Sequence, residues 1–287
     1  MTKPAWLTIR PKANATLPKV QDALMKNGMS TVCEEAHCPN RHECWSSGTA
    51  TFLIFGQVCT RACRFCTVSS GEPQPLDASE PERVALAARE MGLGYVVLTS
   101  VDRDDLPDQG ARHFAECIRA VHSRGMKVEA LIPDFRGESS LIKAVVAAQP
   151  EVLGHNLETV RRLTPVVRDR RASYEQSLAV LRHAKALDKE LVTKSSLLLG
   201  IGENRSEVLD AMDDLLAAGV SVLTLGQYLQ PSARHLPVER YLPPEEFAQL
   251  RAIGLDKGFL SVSSGPLVRS SYRAAETSLG QSDQKGF

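Results

Sequence analysis

The chain has 287 residues, 43% of them apolar and 24% charged, which excludes a disordered polyelectrolyte and supplies enough apolar side chain for a substantial core. Lys plus Arg and Asp plus Glu each total 34, so no global field is available to hold nucleic acid or an anionic membrane surface. The opening MTKPAWLTIRPKANATL lacks the apolar centre of a secretory leader, and no later stretch approaches the ~20 apolar residues of a membrane helix, so a cytoplasmic protein without membrane or nucleic-acid partners is expected.

Residues 1–50 are rich in Pro, Asn, Ser and Cys without sustained periodicity, so bound ligands rather than a core are expected to order them. Six of the seven cysteines lie between Cys33 and Cys66, and in a reducing compartment such crowding favours metal ligation over disulfides. Cys33, Cys38 and Cys44 form a C-x4-C-x5-C loop. Three thiolates can hold three irons of a cubane cluster, and the fourth iron then needs another protein atom or an exchangeable ligand. His37 and His42 lie inside the loop as conceivable ligands, although imidazole ligation of such cubanes is the minority pattern. Trp45 reads as packing over a hydrophobic edge.

From Thr51 the pattern changes. Apolar runs at 51–55, 95–99, 127–132, 151–154, 191–199 and 220–225 are apolar on both faces, as strands of a covered parallel sheet are. Helical stretches alternate with them at 81–91, 110–123, 138–148, 173–187, 205–218 and 243–257, and a shorter strand at 259–263 precedes a Gly-Pro break. About six serial βα units give either a barrel or a doubly wound sheet. The absence of a G-x-G-x-x-G after a strand and of a P-loop weakens the nucleotide-binding doubly wound alternative. Cys117 falls on the amphipathic stretch HFAECIRAVHS and reads as a buried structural thiol. Beyond Tyr272 the chain is polar enough to fray.

Directly after the first strand, Cys59, Cys63 and Cys66 form a C-x3-C-x2-C loop. Zinc ribbons pair two C-x2-C knuckles, and here only one pair has that gap, so a cubane with one open iron is the better reading. An open iron can take a small chelating ligand such as S-adenosylmethionine, whose reductive cleavage supplies radical chemistry. Phe65, between the last two cysteines, can shield the cluster or contact an adenine. A non-catalytic electron carrier would have all its iron positions filled by protein and has little use for a barrel of this size.

The two cysteine motifs in this order resemble the lipoyl synthase family of the radical S-adenosylmethionine superfamily. The likeness extends through TSVDRDDL at 99–106, HNLET at 155–159, TKS at 193–195, GQYLQP at 226–231 and RSSY at 269–272. It implies a partial (β/α)6 TIM-type barrel over 51–265, an extension over 1–50 carrying auxiliary-cluster ligands, and a C-terminal segment over 266–287. It also implies two 4Fe–4S clusters, one held by Cys59, Cys63 and Cys66 and an auxiliary one held by Cys33, Cys38, Cys44 and a serine of the RSSY motif, assigned to Ser271 rather than Ser270. The implied reaction is insertion of two sulfur atoms at C6 and C8 of a protein-bound octanoyl-lysine, the auxiliary cluster being the sulfur donor. Other radical enzymes of the superfamily, acting on biotin-like precursors or RNA, would not need the early cysteine loop.

In parallel barrels functional groups collect at the C-terminal ends of the strands. Thr99, Asp102, Asn156, Glu158 and Lys194, which follow or end strands, are therefore the expected S-adenosylmethionine contacts, and Arg269 the expected support of the auxiliary cluster. Without the family, Asn156 would read as a strand-end cap, Lys194 as a salt-bridged lysine and the 102–105 charge run as a solvated loop. The implied partners are octanoylated lipoyl domains of dehydrogenase complexes or the glycine-cleavage H protein, with a flavodoxin or ferredoxin as electron donor, and a monomer is expected. Two departures remove family glycines: Gln109 in DDLPDQG and Ser196 in TKSS, positions where a positive φ would be costly for a residue with a Cβ.

Overall fold

The computed structural model describes residues 3–8, 16–36, 38 and 40–278. His37 and the polar tail beyond 278 lie outside them. In chain order the elements before the barrel are helix α1 (Thr16–Asn27), the two-residue strand β1 (Ser30–Thr31), and short helices α2 (Val32–Glu35) and α3 (Arg41–Ser46). Then come β2 (Thr49–Ile54), a small ribbon of β3 (Val58–Cys59) and β4 (Ser69–Ser70), α4 (Glu80–Glu90), β5 (Tyr95–Ser100), α5 (Ala111–His122), β6 (Lys127–Leu131), α6 (Ser139–Val146) and β7 (Val152–Gly154). The remainder is α7 (Thr164–Val167), α8 (Tyr174–Leu187), β8 (Val192–Leu199), α9 (Arg205–Ala217), β9 (Val222–Gln227), α10 (Pro244–Lys257), β10 (Ser261–Gly265) and α11 (Ala274–Ser278).

One sheet runs in the order β1-β2-β5-β6-β7-β8-β9-β10, parallel throughout except for β1, which pairs antiparallel with β2. Strands follow one another in sequence order, each joined to the next by a helix, which is the connectivity of a barrel rather than of a doubly wound sheet. Among the described residues β10 does not pair with β1 or β2, so the barrel is open on that side. The six expected strands, their six helices and the shorter seventh strand all form; the last adds to the edge of the sheet at β9.

Alternation along each strand sorts the residues. Val96, Leu98, Val128, Leu197 and Leu223 face outward into the two large apolar clusters beneath the helices. The N-terminal extension shares that core, since Val20, Leu24, Cys33 and Trp45 pack in the same cluster as the β2 and α4 residues. Inward residues are smaller or polar. The segment after β10 runs into this interior: the Val268 carbonyl occupies the space a Cβ on Gly226 would fill, and Ala274 packs on Tyr95 and Val97. Gly226 is thus a glycine because another backbone crosses it.

The two glycine departures have different outcomes. Gln109 does take a left-handed conformation, φ +48°, directly before Gly110 at φ +82°, so a residue with a Cβ is held in a conformation that favours glycine. Ser196 lies within β8 in regular parallel register opposite Thr224, with no positive φ, and its side chain costs the backbone nothing.

Candidate active site

Two cysteine trios occupy different ends of β2. The first gathers at its beginning. Cys33, Cys38 and Cys44 line one small cavity together with Asn40, Thr49, Ala50, Thr51, Arg269, Ser271 and Tyr272. The long-range closure is specific: the Thr51 hydroxyl donates to Ser271 Oγ (2.8 Å), Asn40 Nδ2 donates to the Leu267 carbonyl (2.6 Å), and the Tyr272 hydroxyl donates to Glu43 (3.1 Å). Ser271 faces the thiols, whereas Ser270 is not part of the lining. His42 is not part of it either. Arg269 is half-buried beside Cys38; desolvation pushes its pKa down and the Cys38 charge pulls it back up. A buried guanidinium is costly unless an anion faces it. Trp45 is buried in the core, as expected.

The second trio follows the end of β2. Cys59, Cys63 and Cys66 receive backbone N–H groups at their sulfurs: Arg61 N and Asp102 N at Cys59 (both 3.3 Å) and Asp169 N at Cys63 (3.3 Å). N–H groups aimed at sulfur suit thiolates bound to metal. Burial pushes the Cys59 thiol up to about 11 and Cys63 up to about 12, and at the other site Cys33 up to about 11 and Cys44 up to about 12. Such thiols carry charge only when a cation replaces the proton. Among the described residues neither trio brings its three sulfurs within 4.8 Å of one another. A single tetrahedral zinc at 2.3 Å from each sulfur would need about 3.8 Å between sulfurs. Both trios are therefore wider than one tetrahedral zinc requires.

The cluster loop is anchored by a residue whose role the sequence did not reveal. Arg61, between Cys59 and Cys63 and 3% exposed, donates through Nε and Nη2 to Asp104 (2.9 Å each) and through Nη1 and Nη2 to Asp134 (2.5 and 2.8 Å), with Asp102 at 3.3 Å. The charge run at 102–105 is half-buried framework rather than the solvated loop it would be without the family: Thr60 and Asp104 exchange contacts, and Arg103 pairs with Asp105. Burial, against the pull of Arg61, raises the Asp102 carboxyl to about 6.

Of the expected S-adenosylmethionine contacts, Asp102 lies 3.9 Å from Cys59 Sγ, and Glu158 and Asn156 come together near Cys66. Glu158 sits at φ +68° and its pKa is raised by burial, with Arg168 and Asn156 acting in the opposite sense. Thr99 is on the inner face of β5, one residue before its end. Phe65 packs against the cluster of Val167, Ile201, Tyr228 and Leu236, an apolar wall beside the loop. Lys194 is the third residue of β8, in register with Gly154 at the end of β7, and its Nζ pairs with Glu129 (2.8 Å) inside the barrel, both nearly inaccessible. The Tyr95 hydroxyl donates to the same carboxylate (3.1 Å). The fold thus gives Lys194 a buried ion pair beside the ends of β6 and β7.

Sequence reading also missed a buried relay under the loop. His155 Nδ1–H donates to the Ile132 carbonyl (2.9 Å), Ser177 donates to its Nε2 (2.9 Å), and Arg168 donates to Ser177 (2.6 Å) while its charge acts on Cys63 and Glu158. Burial first, then Arg168, pushes His155 down to about 4. The native state therefore binds fewer protons than the unfolded chain between pH 4 and the ordinary 6.5. The stability supplied by neutral His155 is complete above pH 6.5 and is lost as pH falls toward 4. Urea midpoints measured across that range should fall with acidification, and His155→Gln should flatten that part of the profile.

An open parallel barrel with a three-cysteine loop after its first strand and carboxylates at its mouth defines a radical S-adenosylmethionine enzyme, and the Radical SAM superfamily model matches residues 53–215. Over nearly its full length the chain is 56% identical to lipoyl synthases of Halorhodospira halophila (95% of this chain, 82% of that one), an Anaeromyxobacter species (96% and 94%) and Thermus thermophilus (95% and 85%). The chain belongs to the lipoyl synthase family. Its cofactors are accordingly S-adenosylmethionine and 4Fe–4S iron, including the auxiliary cluster typical of that family. Among solved structures, the FeFe-hydrogenase maturase of Carboxydothermus hydrogenoformans (TM-score 0.59, 14% identity, 83% of this chain and 62% of that one) and methylornithine synthase (0.55, 13%, 82% and 72%) share the fold. Among the described residues, no helix is long and apolar enough to cross a membrane.

Proposed function

We propose that Cys59, Cys63 and Cys66 hold the cluster that cleaves S-adenosylmethionine, that Cys33, Cys38, Cys44 and Ser271 hold the auxiliary cluster, and that this chain converts a carrier-bound octanoyl group to lipoyl. The observation that carries this reading is the delivery of Ser271 across more than two hundred residues of chain into the cavity of the first cysteine trio, held there by Thr51. When bound, the cofactors supply hydrogen abstraction at one site and sulfide at the other. The chain's own groups do the rest. Asp102, Asn156, Glu158 and Thr99 present donors and acceptors at the mouth where the aminoacyl and ribose groups would lie, and the Phe65–Ile201–Tyr228 wall offers an apolar face to the adenine. Arg269 offsets the negative charge of the thiolate trio it lines the cavity with.

β2 links the two sites, Thr49 and Thr51 touching the first cavity and Cys59 following the strand's end, on the order of 10–15 Å apart along the strand. An extended eight-carbon acyl arm on a lysine can span such a gap, which suits a carrier-bound substrate better than a folded small molecule. The carriers proposed are lipoyl domains of dehydrogenase complexes and the glycine-cleavage H protein, the reductant a flavodoxin or ferredoxin, and the working form a cytoplasmic monomer. The division of labour follows the chain: 1–50 for the auxiliary ligands, 51–265 for the barrel and 266–287 for the returning serine. The test is anaerobic reconstitution with an octanoylated carrier peptide, S-adenosylmethionine and dithionite. A mass gain of two sulfurs without added sulfide is expected; 5′-deoxyadenosine with no sulfur in the peptide would overturn the assignment.

A further inference from the structure

Cys59 is reached through an unusual turn. β2 ends at Ile54, and Phe55 then takes φ +73°, followed by Gly56 at φ +86°. Glycine adopts that region freely, but for an aromatic residue it is a genuine outlier that persists only where surroundings over-determine it. Three groups do so here. The Phe55 N–H donates to both oxygens of the Glu80 carboxylate (3.1 Å each). Glu80, the first residue of α4, is itself held by His113 of α5, whose Nε2 lies 2.8 Å from the carboxylate in a site that is nearly closed to solvent. The Phe55 ring packs edge-on against His113 (5.5 Å) and Phe114 (5.9 Å) and fills the space above Gly110, where a Cβ would come within 2.7 Å of it. Cys117 of α5 completes this buried group, its sulfur lying within 4.8 Å of the Glu80 and His113 polar atoms.

The placement gives the device its meaning. The far side of the cluster loop is fixed by Arg61 and its three carboxylates, whereas the near side, Gly56 to Val58, leaves the sheet through the Phe55 turn and is further directed by the two-residue ribbon β3–β4 and by the exposed Gln57 side chain, which donates to Ser30 Oγ (2.6 Å). We propose that Glu80 and His113 are positioning residues for the radical site: by clamping Phe55 in its left-handed turn against Gly110 they set where Cys59 stands relative to Cys63 and Cys66. This rests on the reading that those three cysteines hold the radical cluster. An ångström of misplacement at a reacting centre can cost on the order of 100-fold in rate, so a clamp four residues away is enough to govern turnover.

The full chain carrying Glu80→Ala, Glu80→Gln or Gly110→Ala, with Cys59→Ala beside them, tests the proposal. Four quantities are read: amide hydrogen exchange of the 52–58 segment before reconstitution, iron per chain after it, the EPR signal of the reduced protein with S-adenosylmethionine, and 5′-deoxyadenosine formed without octanoyl substrate. Glu80→Ala should speed exchange at 52–58, alter the S-adenosylmethionine-responsive EPR signal and lower 5′-deoxyadenosine at least ~10-fold, with iron at the auxiliary site retained. Glu80→Gln keeps an acceptor for Phe55 and should stay near the parent. Gly110→Ala, which leaves Glu80 and His113 in place, should repeat the loss and carries the test if Glu80→Ala does not fold. Parent-like EPR and 5′-deoxyadenosine in Glu80→Ala or Gly110→Ala would overturn the proposal, as would equal loss of iron at both sites. Glu80→Gln failing as fully as Glu80→Ala would overturn it too. If Cys59→Ala keeps the S-adenosylmethionine-responsive signal, the underlying cysteine assignment fails instead, whatever the Glu80 variants do.

Discussion

Ser271→Ala is expected to leave 5′-deoxyadenosine formation close to the parent level and to lower lipoyl product by on the order of 10–100-fold or more, the range associated with removing a group that supports a metal site. The physical ground is local. Three thiols can supply three corners of a cubane, and of the hydroxyl-bearing residues in the lining, Thr49, Thr51, Ser271 and Tyr272, the tyrosine's hydroxyl is spent on Glu43 and that of Thr51 on Ser271. The Thr51 hydroxyl donates its proton to Ser271 Oγ at 2.8 Å, leaving the serine free to turn its own proton, or its oxyanion, toward the cavity. Oxygen is a harder partner for iron than sulfur and is more easily displaced, which suits a site that must surrender sulfide. Ser271→Cys should therefore retain iron more firmly yet also lose product, because a fourth thiolate stabilises what has to come apart. Ser270→Ala, outside the lining, should behave as the parent. Iron per chain, 5′-deoxyadenosine and peptide mass measured on the same samples decide it; product at parent levels in Ser271→Ala would remove the serine from the ligand set.

Legibility in the sequence followed burial geometry. The strands were readable because a covered parallel sheet demands apolar residues on both faces, as in YVVLT and VSVLTL, and every such run became a strand within a few residues of its expected limits. The cysteine loops were readable because ligand spacing is short-range. What was hidden depended on contacts made across the fold. Arg61 looks like any arginine in a polar loop until Asp104 and Asp134 arrive from the ends of two other strands. Glu80 reads as an ordinary helix-start acid, and its burial against Phe55 has no local signal. Lys194 shows no mark of its partner Glu129, sixty-five residues earlier. The Gly200-Ile201-Gly202-Glu203 turn after β8 was visible and could have been found: two glycines at a strand end followed by an acid. Its Glu203 carboxylate accepts from Gly200 N (2.6 Å) and Ile201 N (2.9 Å), which places Ile201 in the wall against Phe65.

The other large effect expected is at Arg61. One guanidinium lies among three carboxylates, so burial, which alone would lower its pKa, is outweighed by hydrogen bonds to Asp104 and Asp134 that raise it. Removing one partner of a buried ion pair typically costs about 3–5 kcal/mol because the remaining charges stay buried and unpaired. Arg61→Met should cost that much and should also release the loop on which Cys59 and Cys63 sit, so that iron at this site and 5′-deoxyadenosine formation fall together. Arg61→Lys should not rescue it: an ammonium is a point charge and cannot make the paired contacts to two carboxylates that the planar fork makes. Neutralising one carboxylate at the same time should help. The double variant Arg61→Met with Asp134→Asn relieves the repulsion left behind, and its stability loss should be smaller than the sum of the single losses by about 0.5–3 kcal/mol. Strict additivity in urea unfolding of the cluster-free chain would mean that the network does not act as a unit, and that the loop is held by its backbone contacts to Asp102 and Val167 instead.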